Sequence, residues 1–198
     1  MPSPIAHTLA AYASMVCLDP SLTSNREKNS LALGSAFVFG SLADADFIVA
    51  HFTTATYFHH HYFSHSIPFA IAFTALCWVV LKLLGRRPAA KWAVLFGAAY
   101  STHLILDYFT EDGSFPFGIP LLWPLTDQHF VAPATIFYSI HRGTWQAIFS
   151  PENLQALLME LVVMVPVTLM AVLIARRRLL RGAAAGVPGQ ENMSTDIS

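Results

Sequence analysis

The sequence predicts an all-α fold, a polytopic helical membrane bundle of about five membrane-associated segments with an ordered outer loop region. Composition is the first reason: 55% of the 198 residues are hydrophobic, 12% are charged and the mean hydropathy is +0.51. An ordinary soluble domain has about 25% charged residues. Long apolar runs are the second reason, and the spacing of basic residues between those runs is the third.

The first three segments differ in how well they fit a bilayer. Ile5–Leu18 is too short to cross upright, which suggests a half-span or a packed interfacial helix. Ser30–Phe52 is a candidate span whose second half carries an acidic patch at Asp44 and Asp46. Ser66–Gly85 has about the 20 apolar residues that a crossing needs.

The last two segments carry ionisable groups within apolar sequence. Trp92–Phe109 is a candidate span of marginal length. Leu154–Ala175 is the second convincing span, although Glu160 and Pro166 interrupt it, and the proline should kink the helix.

Basic residues between the segments predict the orientation. The positive-inside rule places them in the cytoplasm, which agrees with simple alternation of the five segments. The C-terminus is then cytoplasmic, residues 111–153 form an outer loop, and residues 182–198 form a disordered tail after a single membrane domain of residues 1–181. The basic residues are Arg26, Lys28, Arg86, Arg87, Lys91, Arg176, Arg177, Arg178 and Arg181.

Net charge and cysteine usage exclude other classes. The formal net charge of −1 offers no broad basic surface for nucleic acid. Cys17 and Cys77 lie in apolar stretches without metal-site spacing, so they are interpreted as core residues.

His103 and Asp107 lie four residues apart in an otherwise apolar run, so a helix would project them from one face. Burying an ionisable group in a membrane helix costs free energy, so such groups usually pair with one another, bind ions or have a functional role. A hydrogen bond that only fixes helix packing is the alternative. The predicted topology favours function, because it gathers other ionisable residues at the same level near the outer face. Those residues are His7, Asp44, Asp46, His65 and Glu160.

Imidazole and carboxylate groups together suit a divalent transition metal, most readily zinc, as one ion or two. The candidates for such a site are the residues gathered at this level, which include His7, Asp44, Asp46, His65, His103 and Asp107. The two aspartates lie two residues apart, so in a continuous helix one would bind metal while the other capped a helix or oriented a ligand. Asp44 or Asp46 is also the first candidate for a general base, followed by Glu160.

Two further residues are weaker candidates. His60 belongs to the run His59–His61, for which a solvated turn is the competing interpretation. Asp127 lies in a loop that could form one wall of the entrance, although interfacial anchoring by Trp123 and Phe130 explains that loop as well.

Five short motifs resemble the YdjM-like inner-membrane proteins, a family regarded as metal-dependent hydrolases. The resemblance implies a bacterial inner-membrane protein and, through a distant similarity to zinc-dependent phospholipase C and related zinc nucleases, a helical bundle around a multinuclear zinc site. It gives the ligands as His7, Asp44 or Asp46, His65, His103 and Asp107. The matching stretches are Pro4–His7, Gly40–Asp46, His60–Ser66, Ser101–Thr110 and Gly118–Pro124.

Two positions depart from the family pattern. Ala43 stands where the family usually has proline before its first aspartate, and His61 stands where the family has arginine. Loss of that arginine removes a fixed cation for a phosphate or carboxylate, which leaves the substrate open while preserving the ligand set.

The expected function is a membrane-embedded hydrolase in which metal-activated water attacks a phosphoester, such as a lipid or lipid-linked phosphate. The expected partners are the lipid bilayer and a small-molecule or lipid substrate. An ion or proton translocator using the same polar cluster, and a non-catalytic membrane protein, are the alternatives.

Overall fold

The computed structural model describes residues 1–46, 63–111, 117–140 and 149–185. Their regular structure is helical, apart from two isolated bridges that join Thr110 to Phe137 and Ile119 to Phe130. This confirms the predicted all-α class. The described α-helices are α1 (Pro4–Leu18), α2 (Arg26–Gly40), α3 (Ile67–Leu83), α4 (Ala89–Tyr108) and α5 (Pro151–Ala185), with 3₁₀ helices at Pro20–Thr23, Leu42–Ala45 and Phe63–His65.

Side-chain caps start the first three α-helices. Ser3 accepts the Ala6 amide at α1, Asn25 accepts the Lys28 amide at α2, and Ser66 accepts the Phe69 amide at α3. Each cap satisfies one of the amides that a helix leaves without an internal partner at its first turn. These caps fix where the helices begin, and two of them lie close to candidate site residues.

Helix α1 is the centre of the bundle and packs against α2, α4 and α5, while α3 packs against α4. Small side chains allow close approach on the α1/α2 side, where Ala11, Ala32 and Ala36 are fully buried. Helices α1 and α2 also come close together at Gly40, where a Cβ would lie 2.8 Å from Ala11 Cβ and 2.9 Å from the His7 carbonyl oxygen. The end of α2 is thereby held against the start of α1.

The predicted segment Ser30–Phe52 is not one continuous helix. Helix α2 ends at Gly40, and the chain turns through the 3₁₀ helix Leu42–Ala45, which carries Asp44. The acidic patch therefore lies at a helix end, where its carboxylates can turn toward the neighbouring helices. Residues 47–62, including His60, lie outside the described residues.

Helix α5 is the one helix in the described ranges that is long and apolar enough to cross a membrane, over Pro151–Ala183. Helices α1 and α3 are apolar but shorter, and α3 has 17 residues, the lower limit for a crossing. Helix α5 continues through Pro166 and past Arg181, where the sequence placed the start of the tail. Residues 186–198 lie outside the described residues.

The described part of the predicted outer loop, residues 117–140, covers one end of the bundle. Backbone hydrogen bonds attach it there: Ala132 N donates to Tyr108 O at 2.8 Å, and Ile67 N donates to Leu121 O at 2.9 Å. Gly118 has a φ of +86°, and a Cβ would lie 2.4 Å from the Phe130 carbonyl oxygen, so this turn requires glycine. The loop is therefore a fixed cap over the ends of α3 and α4.

The opposite end of the bundle carries the basic residues. Lys91 Nζ lies 2.5 Å from Asp19 Oδ2, joining the start of α4 to the end of α1. Arg178 Nη1 donates to the Cys17 carbonyl at 3.3 Å, joining α5 to the same place. The bundle therefore has a basic end and a loop-covered end.

Candidate metal centre

The loop-covered end brings together residues from four parts of the chain. His7 comes from the start of α1, and Asp44 and His65 come from two 3₁₀ helices. His103 and Asp107 come from the last two turns of α4. The three imidazoles are fully buried and Asp107 is 5% exposed, so this is an interior cluster.

Asp107 lies at the centre of the cluster. Its Oδ1 is 3.6 Å from His7 Nε2, and its Oδ2 is 3.4 Å from His65 Nε2 and 3.1 Å from His103 Nε2. The two oxygens of one carboxylate therefore face different imidazoles. The predicted projection of His103 and Asp107 from one helix face holds in the structure.

Asp44 completes the cluster from the other side. Its Oδ1 is 3.5 Å from His103 Nε2 and 4.0 Å from His65 Nε2. Its side chain is 17% exposed, against 2% for that of Asp107. Among the described residues, two groups of three have ligand atoms close enough for one ion, and His103 belongs to both. They are His7, His103 and Asp107, and Asp44, His65 and His103.

The orientation of His103 is fixed by backbone. Its Nδ1 lies 2.8 Å from the Gly40 carbonyl oxygen. A carbonyl oxygen can only accept, so Nδ1 carries a proton, and Nε2 is left facing Asp44 and Asp107. The ring also stacks on His7, with centroids 3.8 Å apart and 12° between the planes. A metal-binding histidine is commonly oriented in this way, by a hydrogen bond from its other nitrogen.

The orientation of His65 is also fixed through its Nδ1 atom, here by a side-chain carboxylate instead of a backbone carbonyl. Its Nδ1 lies 3.2 Å from Asp46 Oδ2, and that oxygen also accepts the Ser64 hydroxyl at 3.0 Å. Tyr100 donates to the Ser64 carbonyl at 2.6 Å and holds the turn in place. Asp46 thus lies behind His65, whereas Asp44 faces the cluster. The sequence left open which aspartate is the ligand, and this geometry favours Asp44.

The donor set fits a divalent cation. In the described part of the chain, His103 Nε2 and both Asp107 oxygens are buried and make no hydrogen bond. Nε2 and Oδ2 nevertheless face each other at 3.1 Å, a separation that a proton on Nε2 or a cation held between the two lone pairs would stabilise. Ligands about 2.0–2.1 Å from one tetrahedral ion lie roughly 3.3 Å apart. The distances of 3.1–3.6 Å around Asp107 match that spacing.

Glu160 belongs to neither of the two groups of candidate metal ligands. It is fully buried on α5, where Oε1 accepts the Ser3 amide at 2.7 Å and Oε2 accepts the Ser3 hydroxyl. Ser3 is the N-cap of α1, one turn before His7. Glu160 therefore positions the helix that carries His7, and these contacts give no support to its predicted role as a base.

Asp127 is exposed on the loop, away from the two groups of ligands found in the described residues. Its carbonyl oxygen lies 3.1 Å from His129 Nδ1. The structure thus brings together His7, Asp44, His65, His103 and Asp107, places Asp46 beside His65, and leaves Glu160 and Asp127 apart.

Sequence reasoning missed the groups that orient the ligands. Gly40, Ser64, Tyr100 and Ser3 are uncharged, and each acts through a contact between residues far apart in the chain. Ser3 alone carried a usable signal, because serine before Pro4 is a typical helix start.

The fold and the cluster together define a class, helical-bundle proteins with a buried His/Asp group at one end of the bundle. The chain belongs to the YdjM inner membrane protein family, whose sequence profile matches residues 1–179. It is also 29% identical over 135 residues to Inner membrane protein YbcI of Escherichia coli (strain K12), an alignment covering 67% of this chain and 73% of that relative. Both matches support a bacterial inner-membrane location. No solved structure matches the chain.

Proposed function

We propose that this protein is a membrane-embedded, metal-dependent hydrolase of a phosphoester, such as a lipid or lipid-linked phosphate. The observation that carries the proposal is the buried convergence of three imidazole Nε2 atoms on the carboxylates of Asp44 and Asp107. Isolated buried carboxylates are costly, and a divalent ion offsets that cost. Zinc is the first metal to test, because imidazole and carboxylate ligands suit it.

The metal would be held by the five residues of the cluster. A divalent ion bound there would polarise the phosphoryl group and lower the pKa of a water to near neutrality. Because the two oxygens of Asp107 face different imidazoles, this carboxylate would suit a site for one ion or for two. The holding residues are His7, Asp44, His65, His103 and Asp107.

Asp44 is the best candidate to take a proton from the attacking water. It is the more exposed of the two carboxylates that face the cluster, and is therefore the more accessible to water. Asp46 holds the His65 ring through Nδ1. Its role is to keep His65 Nε2 directed at the cluster, because the contact at Nδ1 fixes the ring orientation and favours the neutral tautomer that carries its proton on Nδ1.

The outer face of the membrane is the proposed side of the cluster. The basic residues gather at the opposite end of the bundle, which the positive-inside rule assigns to the cytoplasm. The stretch of α5 between Glu160 and Arg176 is about 24 Å long at 1.5 Å per residue. The hydrocarbon core is about 30 Å thick. A cluster near Glu160 therefore lies close to the level of the lipid headgroups.

An ion or proton relay is less well supported. A relay needs titratable groups through the membrane depth. In the described parts of α1, α3, α4 and α5, acidic, basic and imidazole side chains lie only at or beyond the level of the cluster or at the basic end. The apolar stretch between these levels favours a site with one entrance.

Metal analysis of detergent-purified protein tests the proposal first. Wild type and His129→Ala, a histidine variant in the loop, are expected to hold stoichiometric transition metal. His103→Ala and Asp107→Ala are expected to lose it. Metal-loaded protein is then assayed on phosphodiesters and lipid phosphates. Wild type without stoichiometric metal, or hydrolysis unchanged in His103→Ala, would contradict the hydrolase assignment.

Cysteine labelling tests the orientation separately. With Cys17 and Cys77 replaced by alanine, Leu125→Cys reports the loop-covered end and Glu27→Cys reports the basic end; both positions are exposed. A membrane-impermeant maleimide applied outside the inner membrane is expected to label Leu125→Cys only. Labelling of Glu27→Cys alone would reverse the proposed topology.

A further inference from the structure

An open apolar cleft lies between α4 and α5 because both helices pack on α1 and make few direct contacts with each other. We name it the α1/α4/α5 cleft; its volume is about 520 Å³. Small side chains of α1, from Ala10 to Cys17, form its floor, and Phe137 of the loop closes its upper end. On α5 it extends from Met164 to Ile174, about 15 Å along the helix.

The lining offers hydrocarbon and almost no polar group. Two hydroxyls lie on it, and both are bonded back to their own helices: Ser14 to the Ala11 carbonyl at 2.8 Å and Thr102 to the Ala99 carbonyl at 2.7 Å. Both hydroxyl hydrogens are therefore already used, and a ligand finds no hydroxyl donor among these side chains. The walls nevertheless expose large apolar residues, such as Val167 at 50% and Met170 at 60%. An alkyl chain fits this surface, whereas a peptide or sugar would leave its polar groups unsatisfied.

The upper end of the cleft adjoins the metal centre. Ala10 follows His7 by three residues on α1, about 4.5 Å along the helix axis. On α4, Leu106 lines the cleft while its neighbour Asp107 faces the cluster. A chain lying along the cleft would therefore end within about one helical turn of the ligands.

We infer that the α1/α4/α5 cleft binds one acyl chain of the lipid whose phosphoester head is presented to the cluster. This inference rests on the proposed function and specifies its substrate as a lipid rather than a soluble phosphoester. The occupant is an acyl chain because the α5 wall of the cleft, from Met164 to Ile174, belongs to the apolar stretch between Glu160 and Arg176 of the helix that is long enough to cross a membrane. The cleft also runs along the helices, parallel to lipid tails.

Photolabelling tests the inference without requiring turnover. Full-length protein is placed in phosphatidylethanolamine vesicles containing a phosphatidylglycerol with a diazirine on one acyl chain. Labelled peptides are then mapped. Positions 164, 167, 170 and 174 of the cleft are expected to be labelled several-fold more than Val162 and Leu169, which are exposed on α5 but do not line the cleft.

Variants that fill the cleft provide the matched control for the photolabelling. Val167→Trp and Met170→Trp place a bulky ring in the cleft and are expected to lower that labelling several-fold. Leu169→Trp, at 58% exposure on the same helix, is expected to leave it unchanged. Equal labelling of cleft and non-cleft positions, or preferential labelling of the groove between α3 and α4 at Ile71 and Leu104, would overturn the inference.

Measuring metal content distinguishes a failure of the acyl-chain inference from a failure of the proposed function. The tryptophan variants are expected to retain the wild-type metal stoichiometry, since the substituted residues lie outside the cluster. If wild type binds no metal but shows the labelling pattern, the hydrolase proposal fails and the acyl-chain site stands. If metal is bound and the pattern is absent, only the acyl-chain site fails.

Discussion

Asp44 and Asp46 are chemically identical and two residues apart, yet the structure gives them different surroundings. Asp44 faces His103 and His65, whereas Asp46 accepts from Ser64 and lies against the far nitrogen of His65. The side chains diverge because α2 has ended and the chain turns through a 3₁₀ helix at this point. The sequence predicted that one of the pair would bind metal while the other capped a helix or oriented a ligand, but spacing alone could not say which residue had which role.

Substitution of Asp46 separates a positioning role from a ligand role. Asp46→Asn keeps the size of the side chain but weakens its hold on His65, so we expect metal affinity to fall by about 10–100-fold. Stoichiometry should recover at saturating metal, as measured by competition titration. Glu27→Gln, a carboxylate-to-amide change at the basic end, serves as the control. Affinity unchanged in Asp46→Asn, or metal lost as completely as in His65→Ala, would contradict the positioning role.

Gly40 is a second residue whose role depends on close contact. In Gly40→Ala the new Cβ would meet Ala11 Cβ and the His7 carbonyl, neither of which can move easily. We expect a loss of about 1–3 kcal/mol in unfolding free energy. Weaker metal binding should accompany it, because the Gly40 carbonyl orients His103. Gly34→Ala on the same helix meets nothing within 4 Å and should be neutral or slightly stabilising. Equal stability of the two variants in detergent unfolding would contradict this packing account.

At the scale of elements, the order of the helices could be predicted from the sequence, whereas the residues at which the helices end were harder to predict. Apolar runs and helix-forming residues located all five described helices, because burial in a bilayer needs long apolar stretches. The end of α2 at Gly40 and the extension of α5 to Ala185 depend on contacts between helices, which one segment does not encode. The site shows the same limit: its charged residues stood out in the sequence, whereas the Gly40 carbonyl and Tyr100 did not.

The contact between α1 and α5 makes an element-scale prediction. Glu160→Ala would leave the buried Ser3 amide without its acceptor, at a cost of about 1–3 kcal/mol in unfolding free energy. Glu160→Gln retains one acceptor oxygen and should recover part of that loss. Metal affinity should fall in Glu160→Ala and partly recover in Glu160→Gln, in parallel with the unfolding free energy, since His7 lies one turn after Ser3. If Glu160→Gln retained full stability and metal but lost hydrolysis, Glu160 would be a chemical participant instead.

At the scale of the whole molecule, the bundle separates a basic end from a metal-binding end. The pair formed by Asp19 and Lys91 holds the basic end together. Partial burial raises the pKa of Asp19, but hydrogen bonds from Lys91 and Ser21 together with the Lys91 charge outweigh burial, so the net pKa lies below its ordinary value. A depressed carboxyl pKa contributes stability above the ordinary range of aspartate, and that contribution is lost as the pH falls through the folded-state value.

Acid unfolding in detergent tests this pair. Wild-type stability attributable to Asp19 should be complete above about pH 4 and decline below it. Asp19→Asn should lower stability at neutral pH by at most about 1 kcal/mol, because Lys91 is partly exposed. The difference between variant and wild type should shrink toward low pH. A difference that grew on acidification would contradict the pairing.

The central claim is that one buried cluster of histidines and aspartates binds a transition metal. X-ray absorption at the zinc edge, on protein purified with stoichiometric zinc, tests it most directly. We predict a first shell of nitrogen and oxygen only, at about 2.0–2.2 Å, with the outer scattering of imidazole rings. His103→Ala should lose that signal. A shell containing sulfur, which would implicate Cys17 or Cys77, or a shell without imidazole scattering, would contradict the account.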